Sequence, residues 1–262
     1  MSVAGATRVY VSQTIAPGAA IELAPGPAHH LRTVLRLGAG AAVAAFNASD
    51  GEWLCHISQD GRDGMVLTAG RLIRPPQPDP DLWLLFAPIK RLRLDWLIEK
   101  GTELGVGAFI PVMTERTQPE RLNRERLAAH AVAATEQSER LSVPDIRALA
   151  PLARVIAEWP AARPLILCDE TGSGPPIAEI LARLPAGTPA ALLVGPEGGF
   201  AQTELDALAN LPFVTRAGLG PRVPAGPAGV GQPAGHRPGR LARPGHQLPV
   251  TIQDPSSGSE CG

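Results

Sequence analysis

Four prolines fall within seven residues at positions 74–80 (RPPQPDP). Proline locks φ and lacks a backbone N–H, so this stretch is stiff and cannot enter a sheet interior. It divides the chain, and the hydrophobic pattern differs on its two sides. Before it, short strands at 7–12, 41–46, 52–57 and 65–72 alternate with turn signals at 25–26, 38–40, 50–51 and 61–64. Strands at this spacing predict a small β-barrel over residues 1–73, interrupted by one helix at 29–36.

Beyond the prolines the period changes. Residues 82–87 (LWLLFA) form a continuous apolar run, as expected of a buried parallel strand. Helical spacing follows at 92–104, placing Leu94, Leu97, Ile98 and Leu104 on one face. The predicted series continues with strand 109–113, helix 120–140, strand 165–168, helix 177–184, strand 190–194, helix 203–210 and strand 213–215. Alternation of this kind implies an α/β domain over 81–223, a parallel sheet with helices on both faces.

At 44% hydrophobic and 19% charged residues, the 262-residue chain has ample core material. A net charge of −1 excludes a polybasic-tail binder while leaving room for a local basic patch. No run approaches the roughly 20 apolar residues of a membrane span. Cys55, Cys168 and Cys261 are far apart and odd in number, and no Cys/His pattern has metal-ligand spacing. The expectation is a cytoplasmic protein with no metal and no membrane partner.

Five local features carry chemistry, each beside a plainer structural reading. LLVGPEGGF (192–200) lies between an apolar strand and a helix, where glycines allow close backbone approach to a ligand. It matches neither a dinucleotide fingerprint nor a phosphate loop, and a simple turn is the plain reading. LGPR (219–222) follows a strand in the same way. KGTELGV with IPVMTER reads as helix, glycine-containing end and strand, where Glu103 and Arg116 are more often an ion pair or a solvated edge than catalysts. EQSER (136–140) closes the long helix, plainly as a polar last turn. Arg32 and Arg36 stand one helical turn apart beside His29 and His30, so they either clamp RNA phosphates or form a solvated face.

Taken in order, HHLRTVLRLGAG, FNASDGEWLCHI, KGTELGVGAFIPVMTER, TEQSERLSVPDI, LLVGPEGGF and LGPRV resemble the ribosomal RNA small subunit methyltransferase E family over about residues 5–223. The resemblance implies S-adenosylmethionine-dependent methylation of uridine N3 in 16S rRNA. It also implies a PUA-like N-terminal barrel, a C-terminal SPOUT domain with a trefoil knot, and a homodimer. Carried over by position, Gly195, Pro196, Glu197, Gly198 and Gly199 cradle the cofactor, Leu219 and Gly220 form a second loop, and Leu167 and Cys168 a third wall. Gln137 and Arg140 match the family's EQSGR element and, with Arg32 and Arg36, are assigned to RNA. Arg222 is assigned to stabilising charge on the uracil, with Glu136 as a candidate base. A non-catalytic RNA binder and an enzyme for another RNA are the competing readings.

The chain departs from the family in two places. Glu139 stands where EQSGR has glycine. After Val223 the family's Leu-Arg-x-Glu-Thr-Ala segment and final helix are replaced by a stretch holding 8 of the 28 glycines and 7 of the 28 prolines. Such density forbids a helix. Twenty-two of the 24 basic residues are arginine, as in GC-rich coding. Read one base forward, codons for the tail can encode Leu-Arg-Ala and then an amphipathic Ala/Leu segment, although not the Glu-Thr pair. Residues 224–262 therefore read as a frameshift product, with a divergent tail as the alternative, and the knot is expected to be incomplete.

Overall fold

A computed structural model of the chain describes residues 6–61, 64–117, 122–169 and 174–218. The first 74 residues build a mixed five-stranded sheet from β1 (Thr7–Tyr10), β2 (Ala20–Glu22), β3 (Ala42–Asn47), β4 (Gly51–Gly61) and β5 (Gly64–Arg74). Its order is β1-β3-β4-β5-β2, with only β1 and β3 parallel. The long β4–β5 ladder carries three register shifts, and such irregularities bend a strand pair. As a result residues from all five strands enclose one core, including Val9, Ile21, Val43, Ile57 and Leu67.

Helix α1 (Pro25–His29) continues into a π-turn, His30–Val34. The Leu37 N–H closes it on the Leu31 carbonyl at 2.9 Å, with Arg36 at φ 55°. The expected helix through residue 36 thus stops earlier, because a left-handed residue ends it. Arg32 and Arg36 therefore do not share a helical face. Strand β2 was too short to leave an alternating pattern.

The second sheet is parallel: β6 (Leu82–Phe86), β7 (Ala108–Met113), β8 (Asp145–Ile146), β10 (Leu165–Asp169), β11 (Ala190–Val194) and β12 (Val214–Gly218) run in the order β12-β10-β11-β6-β7-β8. A two-residue strand β9 (Ala150–Pro151) pairs with β7 outside that path. Alternate strand residues feed two cores. Leu85, Ile110, Leu167 and Leu193 pack with α4 (Leu152–Ala157) and α6 (Gln202–Ala209). On the other side, Leu84, Phe86, Phe109 and Leu192 meet α2 (Arg91–Glu103) and α3 (Arg124–Gln137). Helix α5 (Ile177–Arg183) covers Ile166 and Ala217. Helices lie on both faces, as the alternation implied.

The larger boundary differences from the periodic reading lie at the end of α2 and at both ends of α3, which stops at Gln137 and not at residue 140. α3 starts at Arg124, where the Asn123 side chain accepts the Arg126 N–H at 3.0 Å. α2 ends at Glu103, and Gly105 at φ 93° turns the chain away. Leu104 consequently stands 81% exposed instead of joining Leu94 and Ile98 in the core. No described helix is long and apolar enough to cross a membrane.

Candidate active site

Three neighbouring parallel strands end side by side. Cys168 of β10 is in register with Val194 of β11 and Ala217 of β12, and Asp169 with Gly218. The chain leaves these strand ends into the 195–199 loop, the segment after Asp169, and residues 219–222. The carboxyl ends of parallel strands form the crevice in which open α/β sheets hold ligands.

The 195–199 loop is held from several directions. Glu197 is paired with Arg93, in the first turn of α2, at 2.5 Å. Arg116, just past β7, donates to the Gly198 carbonyl at 2.9 Å. Below the loop, Glu204 of α6 accepts the Glu115 N–H at 2.9 Å and the Ala201 N–H at 3.0 Å. The Phe200 ring packs under Gly195, where a Cβ would fall 2.7 Å from the ring. Gly199 has φ 68°, which suits glycine. Among the described residues a Cβ at Gly198 would meet nothing within 4 Å. Of these partners the sequence singles out Arg116 alone, with Glu103, as an ion pair or a solvated edge. Instead Glu103 pairs with Lys100, and Arg93, Glu115 and Glu204 went unnoticed because only the fold brings them to the loop.

The Leu167 side chain is 0% and Cys168 7% exposed, both packed within the sheet. Burial pushes the Cys168 thiol up to about 11, so it is a small core residue and not a nucleophile. These two residues offer a ligand only their main chain. Leu219, Gly220 and Arg222 lie outside the described residues, as does the tail 224–262.

Glu136 lies elsewhere. α2 and α3 both begin at the carboxyl edge, where Asp95 and Arg126 pair, and run to the opposite edge. Ten residues of helix separate Arg126 from Glu136, about 15 Å at 1.5 Å per residue. Within one chain Glu136 therefore cannot act as base beside the 195–199 loop. Its carboxylate accepts the Tyr10 N–H at 3.0 Å, and it lines a cleft of about 470 Å³ between the first sheet and α3. Burial there pushes its carboxyl above the usual carboxylate range, against the lowering influence of the Tyr10 N–H, His30 and Arg8.

Within the EQSER element Arg140 serves as a joint. Arg140, with its side chain 8% exposed, donates to the Thr102 carbonyl at 2.7 Å and the Val106 carbonyl at 2.9 Å, and pairs with Asp79 at 2.7 Å. These bonds turn its guanidinium inward, which removes it from the RNA-contact assignment. Gln137 is exposed at the helix end. Glu139 has φ 60°, which explains why glycine suits that position of the family element. In the first sheet, Arg32 donates to Asp60 at 2.7 Å and to the Gly61 carbonyl at 3.3 Å, while Arg36 is exposed. Among the described residues no group of three His, Cys, Asp or Glu is placed to hold a metal ion.

Residues 75–223 match the model of an RNA methyltransferase domain, and residues 28–69 that of an RNA methyltransferase PUA domain. A methyltransferase from Legionella pneumophila, solved with the cofactor SAM, is 26% identical with a TM-score of 0.72, covering 83% of this chain and 90% of its own. A ribosomal RNA small subunit methyltransferase E from Neisseria gonorrhoeae shares the fold at TM-score 0.73 and 23% identity, covering 83% and 90%. Fold and matches together define an RNA methyltransferase, a PUA domain joined to an α/β RNA methyltransferase domain. Among curated relatives, the ribosomal RNA small subunit methyltransferase E of Rickettsia conorii is 31% identical over 217 residues, 82% of this chain and 88% of its own length. That of Bacillus subtilis is 27% identical over 208 residues, covering 74% and 80%. The chain belongs to the ribosomal RNA small subunit methyltransferase E family.

Proposed function

We propose that the chain methylates N3 of a uridine in 16S rRNA, with S-adenosylmethionine as methyl donor. The observation that carries this reading is the register that sets the ends of β10, β11 and β12 side by side, with Leu167 and Cys168 in β10 and the other two strands leading into the two expected cofactor loops. The residues present fit such a group. Among the described residues a Cβ at Gly198 would meet nothing within 4 Å, and the loop around it is pinned by Arg93, Arg116 and Glu204.

When bound, S-adenosylmethionine supplies a methyl carried on a sulfonium. The backbone of Gly195, Pro196, Glu197, Gly198 and Gly199, the main chain at Leu167 and Cys168, and Leu219 and Gly220 hold it. Loss of the uracil N3 proton spreads negative charge onto the flanking carbonyl oxygens, and Arg222 stabilises that charge. Arg36, with Gln137 and the exposed part of Arg32, grips rRNA phosphates. The domain reading accompanies this function: a PUA-like barrel over 1–73, a linker over 74–80, and a SPOUT domain over 81–223. The single core enclosed by five strands supports the barrel. A trefoil knot and a homodimer interface complete the family's architecture, and the frameshift tail from 224 removes segments that serve both.

Mapping modified uridines in 16S rRNA from a deletion strain, by mass spectrometry, tests the reading. One N3-methyluridine should disappear; an unchanged 16S rRNA with a uridine lost from another RNA would move the assignment to that RNA. Calorimetry with S-adenosylmethionine separates an enzyme from a bare RNA binder, which would give no heat. An Arg222→Ala protein should keep cofactor binding and lose roughly 10²-fold in turnover; full turnover would remove Arg222 from the chemistry.

A further inference from the structure

We propose that Arg8, backed by Glu52 and Arg74, is a positioning residue that fixes the angle between the RNA-binding N-terminal domain and the methyltransferase domain. It stands on β1 of the first sheet, yet its guanidinium is spent on the last turn of α3 and the segment just after it in the second domain. One nitrogen donates to the Thr135 carbonyl at 3.0 Å and the Glu136 carbonyl at 2.7 Å, and another to the Arg140 carbonyl at 2.7 Å. The Thr135 and Glu136 carbonyls belong to the last turn of α3, lack a partner further along the helix and sit at the negative pole of its dipole, while the Arg140 carbonyl follows just past the helix. A planar guanidinium fits several of them at once, as a lysine ammonium does not.

The guanidinium is itself held from behind. Its Nε donates to Glu52 at 2.6 Å, and its plane lies 4.0 Å from the centroid of Phe46. The side chains of Arg8 and Glu52 are 9% and 4% exposed. Arg74, at the end of β5, pairs with the other oxygen of Glu52 at 3.2 Å and donates to the Glu139 carbonyl at 2.6 Å. The Tyr10 N–H adds its bond to Glu136. Beside this cluster the two domains do not close on each other but leave the cleft lined by both. Directional polar bonds, not a continuous apolar interface, therefore set the relative orientation. Apolar contacts tolerate sliding; three carbonyls sharing one rigid fork do not.

The consequence rests on the proposed function. RNA gripped by the first domain presents its target nucleotide at the far edge of the second sheet, so a small change of angle at the joint becomes a misplacement at the reacting atoms. Displacements near 1 Å can cost about 10²-fold in rate.

The test uses the full chain carrying Arg8→Met with Glu52→Leu, a pair chosen because apolar replacement of a buried ion pair is often tolerated. Arg8→Lys, which keeps the charge and loses the fork, is the second variant. Spin labels at exposed positions 58 and 202, in a Cys261→Ser background with Cys55 and Cys168 buried, report the interdomain distance. We expect a narrow distribution in the parent and a broadened one in both variants. The kcat for RNA methylation should fall by at least about tenfold, with the affinity for S-adenosylmethionine unchanged. Distance distributions identical to the parent's would overturn the proposal. So would a loss of cofactor affinity matching the loss of methylation, which marks a general unfolding. If the parent neither binds cofactor nor methylates RNA, the functional reading fails while the distances still decide the joint.

Discussion

Glu139 holds φ 60° with a full side chain, a conformation that costs an L-residue about 1–2 kcal/mol and glycine little. Glycine gives back roughly 0.5–1 kcal/mol through its freer unfolded chain. Glu139→Gly should therefore stabilise the protein by about 0.5–1 kcal/mol, read as a rise of roughly 1–4 °C in Tm. A lower Tm would mean that the Glu139 side chain makes up the strain. Glu136 gives a second prediction at this scale. Burial lifts its carboxyl above the ordinary range, so the folded state holds that proton to higher pH than the unfolded chain does. The stability linked to the bound proton is lost as pH rises through the folded value, and the ionised carboxylate is a cost at neutral pH. Glu136→Gln keeps an acceptor for the Tyr10 N–H without the charge. It should raise Tm at pH 7–8, with a gain that shrinks toward pH 4; a gain independent of pH would point to packing instead.

At the scale of elements, the 195–199 loop is shaped by neighbours far away in sequence. Removing the Arg116 donor frees the Gly198 carbonyl and one wall of the loop. Arg116→Ala should weaken S-adenosylmethionine binding about tenfold by calorimetry, corresponding to about 1.4 kcal/mol, with little change in Tm. Unchanged affinity would show that Arg93 and Glu204 suffice. The α3 cap is the structural counterpart: Asn123→Ala should cost about 1 kcal/mol of stability, measured by urea unfolding, without touching cofactor affinity. Much at this scale was legible from sequence. The apolar runs at 82–87 and 190–194 gave buried parallel strands because both faces of those strands are covered. What periodicity misread lay at termini: Leu104 continues the apolar spacing of α2 but follows its last turn, and Arg36 continues the basic spacing but is itself the left-handed residue that ends the helix.

For the whole molecule, the tail is the decisive variable. If residues from Pro224 onward are a shifted frame, a gene restored to the family frame should yield a dimer by light scattering where the present chain stays monomeric. Equal masses would favour a genuine divergent tail. Charge reversal at Arg36 should weaken RNA binding and lower the slope of log affinity against log salt by about one, as expected for one lost phosphate contact.

By itself the sequence determined the two patterns on either side of the proline segment, the parallel sheet and the family, since local periodicity and ordered motifs survive without any knowledge of distance. Only the tertiary structure decided what individual side chains do. Glu136 and Arg140 sit in one short motif whose chemistry fits catalysis or RNA contact, yet the length of α3 carries them away from the carboxyl edge and into a joint between domains. Arg8 showed nothing in sequence, because the carbonyls it serves lie more than 120 residues away and exist as a site only once α3 has ended against the first sheet.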